Sequence, residues 1–304
     1  MDEGLSIPDH PAQPTYVTPP LQLYKDGPAG FAFNPGTALN PFYRDHFFMT
    51  AFPSKNLFAF KLEPDGASYR MVDEHTVAQG TLMVGIGFGP SGALYLADWS
   101  STGYDMNEQG AVWKLDDPVE TQSELRQSTA QLIGQDWTQV VDDHLLTQLG
   151  HADQRVRMKA QFEMVRRDDT AGLIAAATDV KKPELARLHA IWGLGQFVRR
   201  GSSLEDTLIT QLLRDPHPEV RAQTAKILGE GPSLSSTSLT ALRALLHDAA
   251  DRPPFFATIA LGLQKDSGSI NEIIGYLERH PDDRFHRHAA TMGLVGTATP
   301  SQLA

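Results

Sequence analysis

The chain of 304 residues has no cysteine, and that absence alone removes several chemistries. Disulfides, thiolate metal sites, iron–sulfur clusters and a Cys-x-x-Cys-His haem attachment are excluded from these residues. The redox compartment therefore cannot be read from cysteine usage. Nor is there any run approaching the roughly 18 to 20 apolar residues that a membrane-spanning helix needs. The opening Met1-Asp2-Glu3-Gly4 is acidic and leads into no apolar signal core, so the chain is expected either to be cytosolic or to lack its true beginning. Also missing are a phosphate loop, Gly-x-Ser-x-Gly and His-Glu-x-x-His. No nucleophile is nominated.

A basic surplus is absent too. The formal charge is −11. Residues 1–144 hold 7 Lys+Arg against 19 Asp+Glu, and residues 145–304 hold 19 against 18. Neither part offers the basic stripe that releases counterions from phosphates, so nucleic acid is not an expected partner.

What remains is ordinary globular material, 41% hydrophobic and 21% charged, long enough for two domains each with its own core. Residues 1–28 are proline-rich, with Pro19-Pro20, and read as an arm or linker. From Ala29 to about 116, short apolar and aromatic runs alternate with turn residues: Phe31–Phe33, His46–Phe52, Leu57–Leu62, Ala93–Trp99 and Gly110–Leu115. The turns are Glu63-Pro64-Asp65-Gly66 and Phe88-Gly89-Pro90-Ser91-Gly92. The pattern predicts an antiparallel meander of the kind that builds propeller blades of roughly 40 to 50 residues. Two blades fit at most, fewer than a closed ring needs, so a partial β-propeller is expected over 29–116. Residues 117–140 are polar and read as a linker.

Beyond 140 a period appears. Leu194-Gly195, Leu228-Gly229 and Leu261-Gly262 lie 34 and 33 residues apart, and Pro183, Pro218 and Pro253 lie 35 and 35 apart. Proline suits the first helical position and glycine the left-handed residue that ends a helix. Each repeat is thus predicted to carry a helix from proline to glycine, with one apolar face: Val156, Ala160 and Met164; Leu185, Leu188 and Trp192; Val220, Thr224, Ile227 and Leu228. A second helix precedes each, as at Thr207–Leu213 and Leu239–Leu246. Residues 141–304 are therefore expected to form an all-α solenoid of about five helical hairpins.

The segments His151-Ala152-Asp153-Gln154-Arg155-Val156-Arg157 and Asp215-Pro216-His217-Pro218-Glu219-Val220-Arg221 resemble the inter-helix turn of HEAT repeats. Arg187 through Gly195, with Arg157 through Phe162, resembles more narrowly the planctomycete and verrucomicrobial membrane-bound dehydrogenases, also described as haem-binding proteins. In the first part this resemblance rests on Pro28-Ala29-Gly30, Pro35–Leu39, Phe47-Phe48, Gly66-Ala67 and Phe88-Gly89-Pro90 through Asp98-Trp99. Those proteins join a six-bladed propeller, similar to sorbosone and soluble glucose dehydrogenases, to HEAT repeats and a cytochrome c domain.

The resemblance implies the last propeller blades plus the repeats of a longer extracytoplasmic, periplasmic protein. Pyrroloquinoline quinone, calcium and haem c would then belong to that full-length protein. The chain departs from the family at Gly85, Gly87, Ser91 and Gly110-Ala111, which leaves an inherited metal or quinone contact without its residues. The functional reading is a HEAT-repeat scaffold for protein or domain docking within a propeller-type dehydrogenase, with no complete catalytic site in these residues. The alternatives are an active part of a quinone- or haem-linked sugar or alcohol dehydrogenase, and a metal-dependent propeller lactonase.

Asp98 and Asp105 flank a loop with Trp99, Gly103, Tyr104, Asn107 and Glu108, offering oxygen ligands to a hard cation such as calcium. Asp-Trp at a strand end equally fixes a turn by hydrogen bonds. His189 on an apolar helix is read as a hydrogen-bonded histidine joining repeats rather than a metal or haem ligand. His280, His286 and His288 receive no role. Arg157, Arg187 and Arg221 occupy matching positions and are read as bridging to turn aspartates such as Asp153 and Asp215, with an anionic partner as the alternative.

Overall fold

The computed structural model describes residues 18–24, 26–100, 108–202 and 204–303. Seven strands precede twelve α-helical segments among them. Strands β1 (Pro28–Phe33), β2 (Phe47–Ala51), β3 (Asn56–Asp65) and β4 (Ser68–Gln79) form one antiparallel meander in that order. A second sheet is built from β5 (Met83–Phe88), β6 (Leu94–Asp98) and β7 (Ala111–Leu115). The aromatic and β-branched content of these runs suits a pleated, half-buried surface. Phe48, Leu57, Met83 and Leu94 fill the space between the sheets.

The hairpin loop between β3 and β4 sits later than the Glu63–Gly66 turn predicted. Glu63, Pro64 and Asp65 all pair with β4, Asp65 facing Ser68, and Gly66-Ala67 makes the turn with Gly66 at φ 56°.

The helices α2 (Asp142–Gln148) and α3 (Gln154–Arg166), then α4 (Thr170–Thr178) and α5 (Glu184–Arg199), pack in pairs, and α6 (Glu205–Thr207) is followed by a turn that packs on α7 (Pro218–Gly229). A π-helical turn, Leu208–Leu212, extends α6. Two further pairs follow, α8 (Ser236–Leu245) with α9 (Arg252–Leu263) and α10 (Ile270–Arg279) with α11 (Arg284–Thr297). The short α12 (Pro300–Leu303) comes last. The second helices stack in one row, α3 on α5 on α7 on α9 on α11, and a continuous apolar core runs from Trp137 to Ala290.

Two expectations about these helices are corrected. The repeated glycines do not end helices in a left-handed conformation: Gly195, Gly229 and Gly262 all lie within α5, α7 and α9, and none has positive φ. They are small because the row is tight. A Cβ on Gly195 would lie 2.7 Å from Ile227, one on Gly229 2.6 Å from the Ala260 backbone, and one on Gly262 2.6 Å from the Met292 carbonyl. Leu185 is also off the buried face at 48% exposure; Ala186, Ala190, Ile191 and Leu194 take that role in α5.

The supposed linker is structured as well. It carries α1 (Glu124–Gly134), whose Arg126 is buried and donates to the carbonyls of Ser91 and Leu39 and to Asp116.

Candidate functional site

Asp98 ends β6 beside the segment containing Asp105, which lies outside the described residues. One Asp98 carboxylate oxygen accepts from the amides of Leu82 (3.2 Å) and Ser100 (3.0 Å), the other from the Trp113 indole at 2.9 Å. Those donors hold its carboxyl below the usual carboxylate range, against the opposing effect of burial. Three of the carboxylate's four acceptor positions are thereby used in fixing the turn, which leaves little of it for a cation. No step is routed through calcium, quinone or haem.

The repeats share a turn device only partly visible in the sequence. Five aspartates each accept, through a carboxylate oxygen, the amide two residues on: Asp153 from Arg155, Asp179 from Lys181, Asp215 from His217, Asp248 from Ala250 and Asp283 from Phe285, at 2.8 to 3.0 Å. Asp153 and Asp283 thereby satisfy an amide in the first turn of α3 and of α11 that the helix cannot, and the other three fix the turns that lead into α5, α7 and α9. Asp179, Asp248 and Asp283 were missed because their surroundings differ, although an aspartate every 26 to 36 residues was there to be counted.

Arginines then tie one turn to the next. Arg187 forms a buried fork with Asp215 and donates to the Ala177 carbonyl at 2.9 Å, and Arg221 makes the equivalent fork to Asp248 at 2.7 Å on both arms. Arg157 departs from this pattern. It donates to the carbonyls of His151 and Ala152 and meets no carboxylate within ion-pair distance among the described residues.

His189 is 2% exposed, and its Nδ1 lies 2.8 Å from Gln161 Oε1 on the preceding second helix. Burial, with the Arg157 charge adding to it, pushes its pKa down to about 4. It holds repeats together as a neutral ring. The neighbouring Trp192 donates its indole N–H to Gln223 Oε1 on α7 at 2.9 Å.

Of the three C-terminal histidines, His288 contacts Thr18 while His286 bonds the Tyr276 hydroxyl. His280 stacks on His286 at 3.9 Å and 11°. Asp251, His280 and His286 lie close enough to hold an ion. Parallel imidazoles, however, direct their in-plane lone pairs side by side and not towards one point.

Along the exposed face of the second-helix row lies an open cleft of about 570 Å³, between α3, α5 and α7. Phe162 (50% exposed) and the half-buried Trp192 form its apolar wall, and Arg199, Arg200 and Lys226 edge it, with Glu230 the one carboxylate. Arg199 reaches Glu230 at 2.6 Å, which leaves two cationic groups in excess. Sequence reasoning missed this cleft because Phe162, Trp192 and Lys226 are apart in the chain and meet only through stacking.

Residues 170–255, from α4 into α9, match the family model described as HEAT repeats. No curated protein matches the chain.

Proposed function

We infer that this chain is a helical-repeat docking scaffold that receives an acidic polypeptide segment in the cleft of its second-helix row. One observation carries the reading: two partly exposed aromatic rings and a surplus of cations share an open groove on a HEAT-type array. Aromatic and arginine side chains are the usual anchors of protein interfaces, and stacked repeats offer extended surfaces for such use.

The setting we favour is a larger, extracytoplasmic dehydrogenase of the propeller type, with the seven strands as its last blades. Support comes from the sequence resemblance and from β1 lying against β5, as the leading strands of neighbouring blades would. In that setting the quinone, calcium and haem c belong to other parts of the protein, and the docked segment is an acidic stretch of a redox domain.

The test is fluorescence anisotropy of a labelled synthetic peptide of alternating Glu and Phe titrated with the full chain. Micromolar binding that weakens with salt, and weakens about tenfold or more in K226E and R200E, is expected. Binding indifferent to both charge reversals, or no binding at all, would sink the reading.

A further inference from the structure

Away from the helices, three residues of the first sheet come together although 27 positions separate the first from the second. His46 immediately precedes β2, while Asp73 and His75 lie in β4. We propose that His46, Asp73 and His75 form a binding site for a divalent first-row metal ion of the zinc type.

The tautomers are set by the backbone. His46 Nδ1 lies 3.0 Å from the Arg44 carbonyl and His75 Nδ1 lies 2.9 Å from the Asp73 carbonyl. A carbonyl only accepts, so each Nδ1 carries a proton; His75 Nε2, which has no partner, presents a lone pair, while His46 Nε2 faces the Asp73 carboxylate, where a metal would take the place of a shared proton. This is the outer arrangement that metal-bound histidines use, the second nitrogen donating to a carbonyl.

His46 Nε2 faces Asp73 Oδ2 at 3.3 Å, and one ligand atom from each of the three residues lies within 4.8 Å of the others. Ligands about 2.0 to 2.1 Å from a tetrahedral zinc stand about 3.4 Å apart. The first pair is already at that separation, and a small turn of His75 completes the set. The imidazole planes are inclined at 78°, so their lone pairs can converge, unlike those of the stacked His280 and His286.

A simple His46–Asp73 hydrogen bond would account for His46 but not for His75. The His75 Nε2 atom is buried and has no hydrogen-bond partner, a costly state for an acceptor that an ion would relieve. The backbone is also shaped at this point. Between the pairs Ala59–His75 and Lys61–Val72, β4 has one residue more than β3, and Asp73 takes φ 55°. Such bulges re-aim side chains at functional places, and a non-glycine residue at positive φ needs its surroundings to hold it there.

Phe42 and Tyr43 wall the two imidazoles, with ring centroids 5.4 to 5.9 Å away. The half-exposed Asp73 leaves a route from solvent, and Lys61, 4.0 Å from its carboxylate, is the resident cation that the metal would displace. Two histidines and one carboxylate leave at least one coordination position open for water or a partner's ligand.

The experiment is isothermal titration of the chelator-treated full chain with zinc chloride alone. Expected is one stoichiometric site whose affinity falls tenfold or more in H75A and in D73N, and is unchanged in H280A. Far-UV circular dichroism of the metal-free variants establishes that they fold; should H75A not fold, the partly exposed Asp73 variant decides. Absence of a stoichiometric site, or one undiminished by D73N, would overturn the proposal.

Discussion

Arg187 and Arg199 each meet a carboxylate across one repeat, yet their surroundings make the two pairs unequal. Arg187 and Asp215 are about 95% buried, so neither charge has water to fall back on, and removing one partner of such a pair costs about 3–5 kcal/mol. The Arg199–Glu230 pair is 46% and 30% exposed, where water and salt screen it to about 1 kcal/mol or less. The buried pair therefore fixes repeat spacing, while the exposed one can be rearranged by a ligand in the cleft. His189 adds a pH dependence at the same scale. Its pKa is 6.5 when unfolded and about 4 when folded, so the unfolded chain binds the proton first as pH falls. Its contribution is then fully present above pH 6.5, is lost at about 1.4 kcal/mol per pH unit, and levels off near pH 4. Urea unfolding of the native chain and H189Q should show a stability difference that is constant above pH 7 and shrinks steadily towards pH 4. Parallel pH profiles for the two proteins would contradict a buried neutral ring.

Among elements, the fit between neighbouring second helices depends on glycines that lack the usual helical rationale. Gly229 gives away about 1 kcal/mol of helix propensity relative to alanine, but a methyl group there would press on the Ala260 backbone at 2.6 Å. Overpacking of that kind costs about 1–3 kcal/mol, and α7 cannot move off α9 without opening the core on both sides. Gly134, the last residue of α1, has nothing within 4 Å of where its Cβ would be. G229A should therefore lower the unfolding free energy by about 1 kcal/mol, whereas G134A should raise it by about 0.5 kcal/mol, both read from urea midpoints. Equal and favourable effects would mean that α7 and α9 are not in close contact. The period of these glycines was legible in the sequence but its cause was not, because a helix end and a close helix crossing both select glycine. The strands show the opposite case. Aromatic runs marked β2 and β3 plainly, while β4, polar along most of its length, and its bulge at Asp73 left no pattern to read. The zinc-type site was hidden with them, since only the meander brings His46 beside His75.

At the scale of the whole molecule, the sheets and the helical array form one body joined along the turns of the repeats. Thr37 donates to Asp153 at 2.6 Å, Gln154 donates its amide to Pro35 at 2.7 Å, and Arg155 donates to Gly89 at 2.6 Å. Three repeats further on, Arg252 donates to the Ala67 carbonyl at 2.9 Å while its guanidinium lies over Tyr69. These contacts were invisible in the sequence because most of them end on backbone carbonyls, which every residue possesses. The same aspartate that begins α3 also holds Thr37 of the strand region, so the HEAT-type turn and the joint between sheets and array cannot be altered separately at Asp153. Gly36 is a tight point of this joint. It has φ 115°, and any Cβ would collide with the Ala152 carbonyl, so alanine is excluded both by conformation and by space. Native-state hydrogen exchange tests how far the two parts share stability. In the unaltered chain, amides of β2 and β3 are expected to open with similar free energies, as parts of one cooperative unit do. In G36A the protection of β2 and β3 should drop by about 2 kcal/mol or more, while that of α5, supported by its own neighbours in the row, falls less. An equal fall in all three would mean that the array depends on the sheets for its stability, and unchanged protection everywhere would mean that the turn contacts do not hold the two parts together.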